Sequence, residues 1–202
     1  EPVARRLGRR AGVLVSSVVE RSLSRYQGKR ITEIAAAEGK DPRDALVDLV
    51  LADRANSSGI HFTMSEADVR LALAHRLVAF CTDSGAVAPD GIYAQQRSHP
   101  RAWGSATRIL GTYVRDERLL PLEEAVRKMT SLPAARARLT DRGLLRPGLA
   151  ADVTLFDPAT VRALSTFEEP MRVSEGVLFV LVNGRLVVDG GKVTAERPGR
   201  IL

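Results

Sequence analysis

Five apolar residues run unbroken from Leu77 to Cys81 and stop at a polar turn, Thr82-Asp83-Ser84-Gly85. A run of that length without alternation suits a strand buried on both faces, as in parallel α/β sheets. On that reading Asp83 stands at the strand's C-terminal end, the end that carries the chemistry in barrels of alternating strands and helices. A basic segment follows after a gap, His99-Pro100-Arg101-Ala102-Trp103-Gly104.

The elements before it fit the same plan. Gly12 to Val19 reads as a strand, Ile31 to Glu38 as a short helix stopped by Gly39, and a helix after Asp41-Pro42 as capped by the aspartate with proline in its first turn. Ile60 to Met64 then reads as a strand, and Ser65-Glu66-Ala67-Asp68 as a capping box opening a helix whose buried stripe is Val69, Ala72 and Leu73. Strand, helix, helix, strand, helix, strand favours parallel crossovers and an α/β fold class. The stretch from Asp83 to Ser98 holds few regular signals and is long enough for an active-site loop. Helical patterning returns near Arg101 and again from Pro121 to Met129, broken at Leu132-Pro133 before a second short helix to Leu139.

The chain changes character near Gly143. Arg146-Pro147-Gly148 reads as a type II turn and Asp152 to Asp157 as a strand. Val177 to Val182, Asn183-Gly184 and Arg185 to Val188 read as a hairpin, because Asn-Gly accepts the positive φ angles of a type I′ turn. Lys192-Val193-Thr194 adds a last strand to this small β module.

Composition narrows the partners. The net charge is +6, but half of that excess lies in the first ten residues, where Arg5, Arg6, Arg9 and Arg10 face one acid, Glu1. The remaining bases are interleaved with acids, with no basic stripe set among aromatics, so no nucleic-acid partner is expected. One cysteine, Cys81, rules out an internal disulfide and fits a reducing, cytoplasmic setting. No apolar run approaches the ~18 residues of a membrane span, so no membrane partner is expected. The chain opens on Glu1-Pro2 and enters a strand almost at once, and it reads as the inside of a longer protein.

Taken in order, Tyr26-Gln27-Gly28-Lys29, Met64 to Val69, Thr82-Asp83-Ser84-Gly85, His99 to Gly104, Arg108-Ile109-Leu110-Gly111, Lys128-Met129-Thr130, Gly148 to Val153 and Thr166-Phe167-Glu168 resemble the amidohydrolase superfamily. Within it they resemble the N-acyl-D-amino-acid deacylases (D-aminoacylases), over about Tyr26 to Leu202. The Gly-x-x-Ala-Asp strand supports the superfamily; the His-Pro-Arg and Thr-Phe-Glu segments narrow it to the deacylases.

The resemblance implies the C-terminal part of a (β/α)8 metal-dependent hydrolase barrel over residues 1–142. Residues 143–202 would then be the C-terminal segment of a small β-sandwich domain. It implies zinc, one or two ions, whose ligands mostly lie outside this chain; His61, His75 and His99 form no ligand-like pairing, and Asp83 is the possible metal ligand here. Asp83 is implied as the catalytic carboxylate and Arg101 as the holder of the substrate's α-carboxylate, a planar anion suited to a guanidinium fork. Ser84, where many relatives have glycine, and His99 are the further substrate-binding candidates. Cys81 is expected inside the strand, and His61 and His75 as structural histidines.

The implied activity of the full-length parent is hydrolysis of the amide bond of a small-molecule N-acyl-D-amino acid, giving a D-amino acid and a carboxylate. The oligomeric state is left open. Two alternatives stand beside it: another amidohydrolase, of the dihydropyrimidinase kind, and a catalytically incomplete fragment. The His-Pro-Arg segment argues against the first by pointing to a free carboxylate on the substrate. The second is favoured by the absence of half of the expected site, and this chain alone is expected to be inactive.

Overall fold

The computed structural model describes residues 12–85, 87–91 and 98–201. The basic residues Arg5, Arg6, Arg9 and Arg10, and positions 86 and 92–97 of the stretch between Asp83 and Ser98, lie outside the described residues. The described residues combine helices and strands in two compact units. One takes its residues from Glu1–Ser65, Gly85–Ala102 and Thr166–Met171; the other from Glu66–Ser84, Trp103–Ser165 and Arg172–Leu202.

In the first unit, β1 (Leu14–Ser17) pairs with β2 (Ser58–Ile60) around two helices, α1 (Ile31–Glu38) and α2 (Pro42–Ala52). Gly39 ends α1 in the left-handed conformation at φ 66°, and Asp41 caps α2 by accepting from the Arg43 amide at 2.8 Å, with Pro42 in the first turn. The strand pairing is antiparallel, Leu14 opposite Ile60 and Val15 opposite Gly59, which corrects the expectation of a parallel crossover. The chain has already reversed before either helix: the Val15 amide donates to the Lys29 carbonyl and the Ile31 amide to the Val13 carbonyl, so residues 29–31 run antiparallel to β1. Val13, Val15, Leu23, Ile31, Ile34, Ala35, Ala45 and Leu49 form the buried core of this unit.

Asp53, just past α2, is 2 % exposed. Its carboxylate accepts from the Val19 amide at 3.0 Å and the Glu20 amide at 2.6 Å, satisfying donors where the chain leaves β1. Replacing Asp53 by Ala strands these amides without acceptors. We expect a loss of about 2–3 kcal/mol, read as a lower urea midpoint for the chain; an unchanged midpoint would show that solvent satisfies them equally well.

The second unit holds α3 (Glu66–Ala74), α4 (Arg101–Arg108, whose first two residues belong to the first unit), α5 (Leu122–Met129), α6 (Ser131–Arg136) and a four-stranded meander. α4 continues as a π-helical segment, Ile109–Asp116, closed by a bond from the Glu117 amide to the Thr112 carbonyl. Ile109, Leu110, Tyr113, Leu120, Ala125 and Val161 are the core, with Val69, Leu73 and Phe80 packed against it; Ala72 of the expected stripe is exposed. Pro133 lies inside α6 instead of ending a helix, because in the first turn its missing N–H has no carbonyl to bond. The break falls at Thr130 (φ −126°, ψ −89°).

The meander is antiparallel throughout: β3 (Val153–Phe156), β4 (Val177–Val182), β5 (Arg185–Asp189) and β6 (Lys192–Val193). Asn183 (φ 48°) and Gly184 (φ 76°) make the expected hairpin turn. Gly148 has φ 86°, and the Leu149 amide bonds the Arg146 carbonyl, as a type II turn requires. Gly176 is needed on two counts. Its φ is 83°, and a side chain there would drive into the backbone of Val161, which is fully buried.

The expected strand over Leu77–Cys81 is absent as a ladder. A strand exists only as half of a hydrogen-bonded pair, and among the described residues no strand pairs with this segment. Leu77 (56 % exposed) and Val78 are uncovered, Phe80 packs into the core, and Cys81 is exposed, not enclosed. His61 likewise lies beyond the end of β2 and is exposed, not interior to a strand.

Candidate active site

Asp83 and Ser84 belong to the second unit; His99 and Arg101 belong to the first.

Asp83 is exposed and left-handed, at φ 47°, a conformation that aspartate tolerates better than most residues. Its backbone amide donates to Cys81 Sγ at 3.3 Å, so the thiol's role here is to accept within the turn. Ser84 and Gly85 continue the exposed turn. A carboxylate presented to solvent on a turn can accept or release a proton without rebuilding a buried network. Among the described residues no three His, Cys, Asp or Glu side chains converge into a group able to hold a metal ion, so the residues present do not fit a complete zinc site. Asp83 could supply at most one ligand.

The His-Pro-Arg segment is built around rings. His99 is half-buried, and its Nδ1 accepts from the Arg101 amide at 3.0 Å, which leaves the proton of the neutral ring on Nε2. Its ring stands edge-on to Phe167 with centroids 5.3 Å apart; Phe167 meets Phe62 at 4.7 Å, and the Arg30 guanidinium lies 4.3 Å over Phe62. Burial, then the nearby Arg101 cation, pushes His99 below the usual histidine range. Arg101 is exposed at the first position of α4. The geometry thus stitches the His-Pro-Arg and Thr-Phe-Glu segments together within one unit.

Tyr26 packs partly into the first core, and its hydroxyl donates to the Glu38 carboxylate. Trp103 offers its carbonyl to the Ser174 hydroxyl at 3.0 Å, an anchoring role. His75 Nδ1 accepts from the Leu77 amide at 3.3 Å, a structural use. Sequence reasoning assigned no role to Phe62 or Phe167 and missed the burial of Lys128. Neither the ring pair, 105 positions apart, nor a lysine inside a charged helix leaves a periodic signal. The only pointer was that Phe167 and Lys128 both lie in the segments that carry the resemblance.

The chain is 44% identical over 175 residues to an N-acyl-D-aspartate deacylase of Alcaligenes xylosoxydans xylosoxydans, 87% of this chain and 33% of the relative. It is 41% identical over 175 residues to a D-aminoacylase of the same organism, 87% of this chain and 34% of that protein. It therefore spans about a third of the length of these curated relatives. Among solved structures it matches an N-acyl-D-glutamate deacylase from Bordetella bronchiseptica, solved with zinc and a phosphonate mimic of the tetrahedral intermediate. That match has a TM-score of 0.83 and 35% identity, over 99% of this chain and 39% of the other. No helix among the described residues is long and apolar enough to cross a membrane. The model of the amidohydrolase family matches residues 7–188, nearly the whole chain, and the chain belongs to that family.

Proposed function

We propose that this chain is the C-terminal part of a zinc-dependent deacylase that hydrolyses the amide bond of N-acyl-D-amino acids, releasing a D-amino acid and a carboxylate. The carrying observation is the match to deacylases of this substrate class along nearly the whole chain. On this reading residues 1–142 are the later part of a (β/α)8 barrel and residues 143–202 a segment of a β-sandwich. The antiparallel meander from Val153 to Val193 supports the second assignment. One or two zinc ions would be held mostly by residues outside this chain. The cytoplasm is the proposed location.

Asp83 is the catalytic carboxylate: it takes a proton from the attacking water and returns it to the leaving amine nitrogen, so that neither hydroxide nor an amide anion is released free. Arg101 holds the substrate's α-carboxylate through paired N–H donors. Ser84, beside Asp83, and His99, whose Nε2–H remains to donate, are the further substrate-binding residues of this reading.

The test is an assay of the full-length protein, loaded with zinc, on N-acyl derivatives of D- and L-aspartate, glutamate and leucine. Release of D-amino acids, abolished by a chelator and restored by zinc, is expected. Equal turnover of L-substrates, or none of the D-series, would refute the reading.

A further inference from the structure

Lys128 is fully buried, with 0 % of its surface exposed, in the middle of the second unit. A buried ammonium is costly unless polar groups meet it. The neighbouring carboxylate of Glu124 is bonded by Arg127 at 2.7 Å on the same helix. Lys128 Nζ is met by backbone: it donates to the Leu73 carbonyl at 2.5 Å and the His75 carbonyl at 2.7 Å. Those carbonyls lie at the C-terminal end of α3, where acceptors lack helical partners and the dipole favours a cation. Arg127 adds a bond to the Arg76 carbonyl at 2.7 Å. The Lys128 ammonium also lies 5.4 Å from the centre of the Phe80 ring, and its own carbonyl accepts from the Phe80 amide at 3.2 Å. Burial pushes the Lys128 ammonium below the usual lysine range.

One residue thus grips both ends of the segment from Leu73 to Phe80, and Asp83 follows three residues later. That segment joins no ladder among the described residues, yet it delivers Asp83 in a left-handed conformation that persists only when its flanks are held. We infer that Lys128 is a positioning residue for Asp83: clamped to the end of α3 and to Phe80, it fixes the approach that aims the carboxylate. This rests on the catalytic reading of Asp83 given above.

The test uses the full-length protein with Lys128→Met, a near-isosteric change that removes the ammonium, with its donors and its contact with the Phe80 ring, and leaves the backbone bond to Phe80. Expected are a kcat on N-acyl-D-amino acids lower by about 10- to 100-fold, as for a reacting group displaced by a fraction of an ångström to 1 Å, and a KM within about twofold. Amide exchange across residues 77–84 should quicken by about tenfold or more while residues 122–129 stay protected. Lys128→Arg, which keeps a cation at the carbonyls, should recover part of the loss. A folded Lys128→Met protein with unchanged kcat and unchanged exchange at 77–84 overturns the inference. Should Lys128→Met not fold, the wild-type protein decides: a Phe80 amide that exchanges as fast as an open loop means there is no clamp. A wild-type protein inactive on every N-acyl-D-amino acid defeats the deacylase reading instead, and the exchange measurement still reports on the clamp.

Discussion

Asp83→Asn in the full-length protein is expected to lower kcat for N-acyl-D-amino acids by about 10³-fold, the upper part of the range for losing a general acid–base group, with KM within about threefold. Asparagine keeps the shape of the side chain and tolerates the left-handed backbone that Asp83 adopts at φ 47°. The turn therefore survives, and what is lost is the ability to take a proton. The exposed setting of Asp83 makes a large stability change unexpected, so Tm should move little. Single-turnover kinetics with Tm measured alongside separates the two effects. A variant that keeps its turnover removes Asp83 from the chemistry.

Arg101→Met should act on the other parameter. A guanidinium fork on an α-carboxylate binds ground state and transition state alike, so its removal raises KM by about 10²-fold with kcat lowered far less. Lys at this position recovers only part, because an ammonium is a point charge and not a fork. Arg101 begins α4 and its amide is bonded to His99 Nδ1, an interaction that any residue but proline retains, so the loop's backbone is not at stake. The checking measurement is a KM against kcat comparison on a substrate and on its α-amide. Arg101→Met should equalise the two substrates; preserved discrimination would show that the carboxylate is held elsewhere.

The features legible in the sequence were those with a local cause. Gly39, Asp41-Pro42, Pro147-Gly148 and Asn183-Gly184 each solve a backbone problem within four residues, and the structure uses them as read. The antiparallel pairing of β1 with β2 departs from the parallel expectation because direction is set by the path between the strands, here a reversal at residues 29–31 before either helix, and not by either strand's composition. Leu77–Cys81 carried the composition of a buried strand, but composition cannot supply the neighbour that makes a strand, and the segment is unpaired among the described residues.

For the candidate site, the residue types were legible and their supports were not. Asp83, Ser84, His99 and Arg101 stand in motifs. The Phe62–Phe167–His99 ring contacts and the reach of Lys128 to Leu73 and His75 join positions more than fifty apart, where no periodicity operates. Asp53 is a similar case: it continues the face of Leu46 and Leu49 in sequence, but its carboxylate serves amides on a chain segment that the helix pattern does not mention.

The central claim is that Asp83 is the group that handles the reacting proton, and a crystal structure of the full-length protein with zinc and a phosphonate analogue of an N-acyl-D-amino acid tests it most directly. We expect an Asp83 carboxylate oxygen within hydrogen-bonding reach, about 2.6–3.2 Å, of a phosphonate oxygen or of the atom replacing the amide nitrogen. A carboxylate turned away from the analogue, with another acid or base in that position, would contradict it.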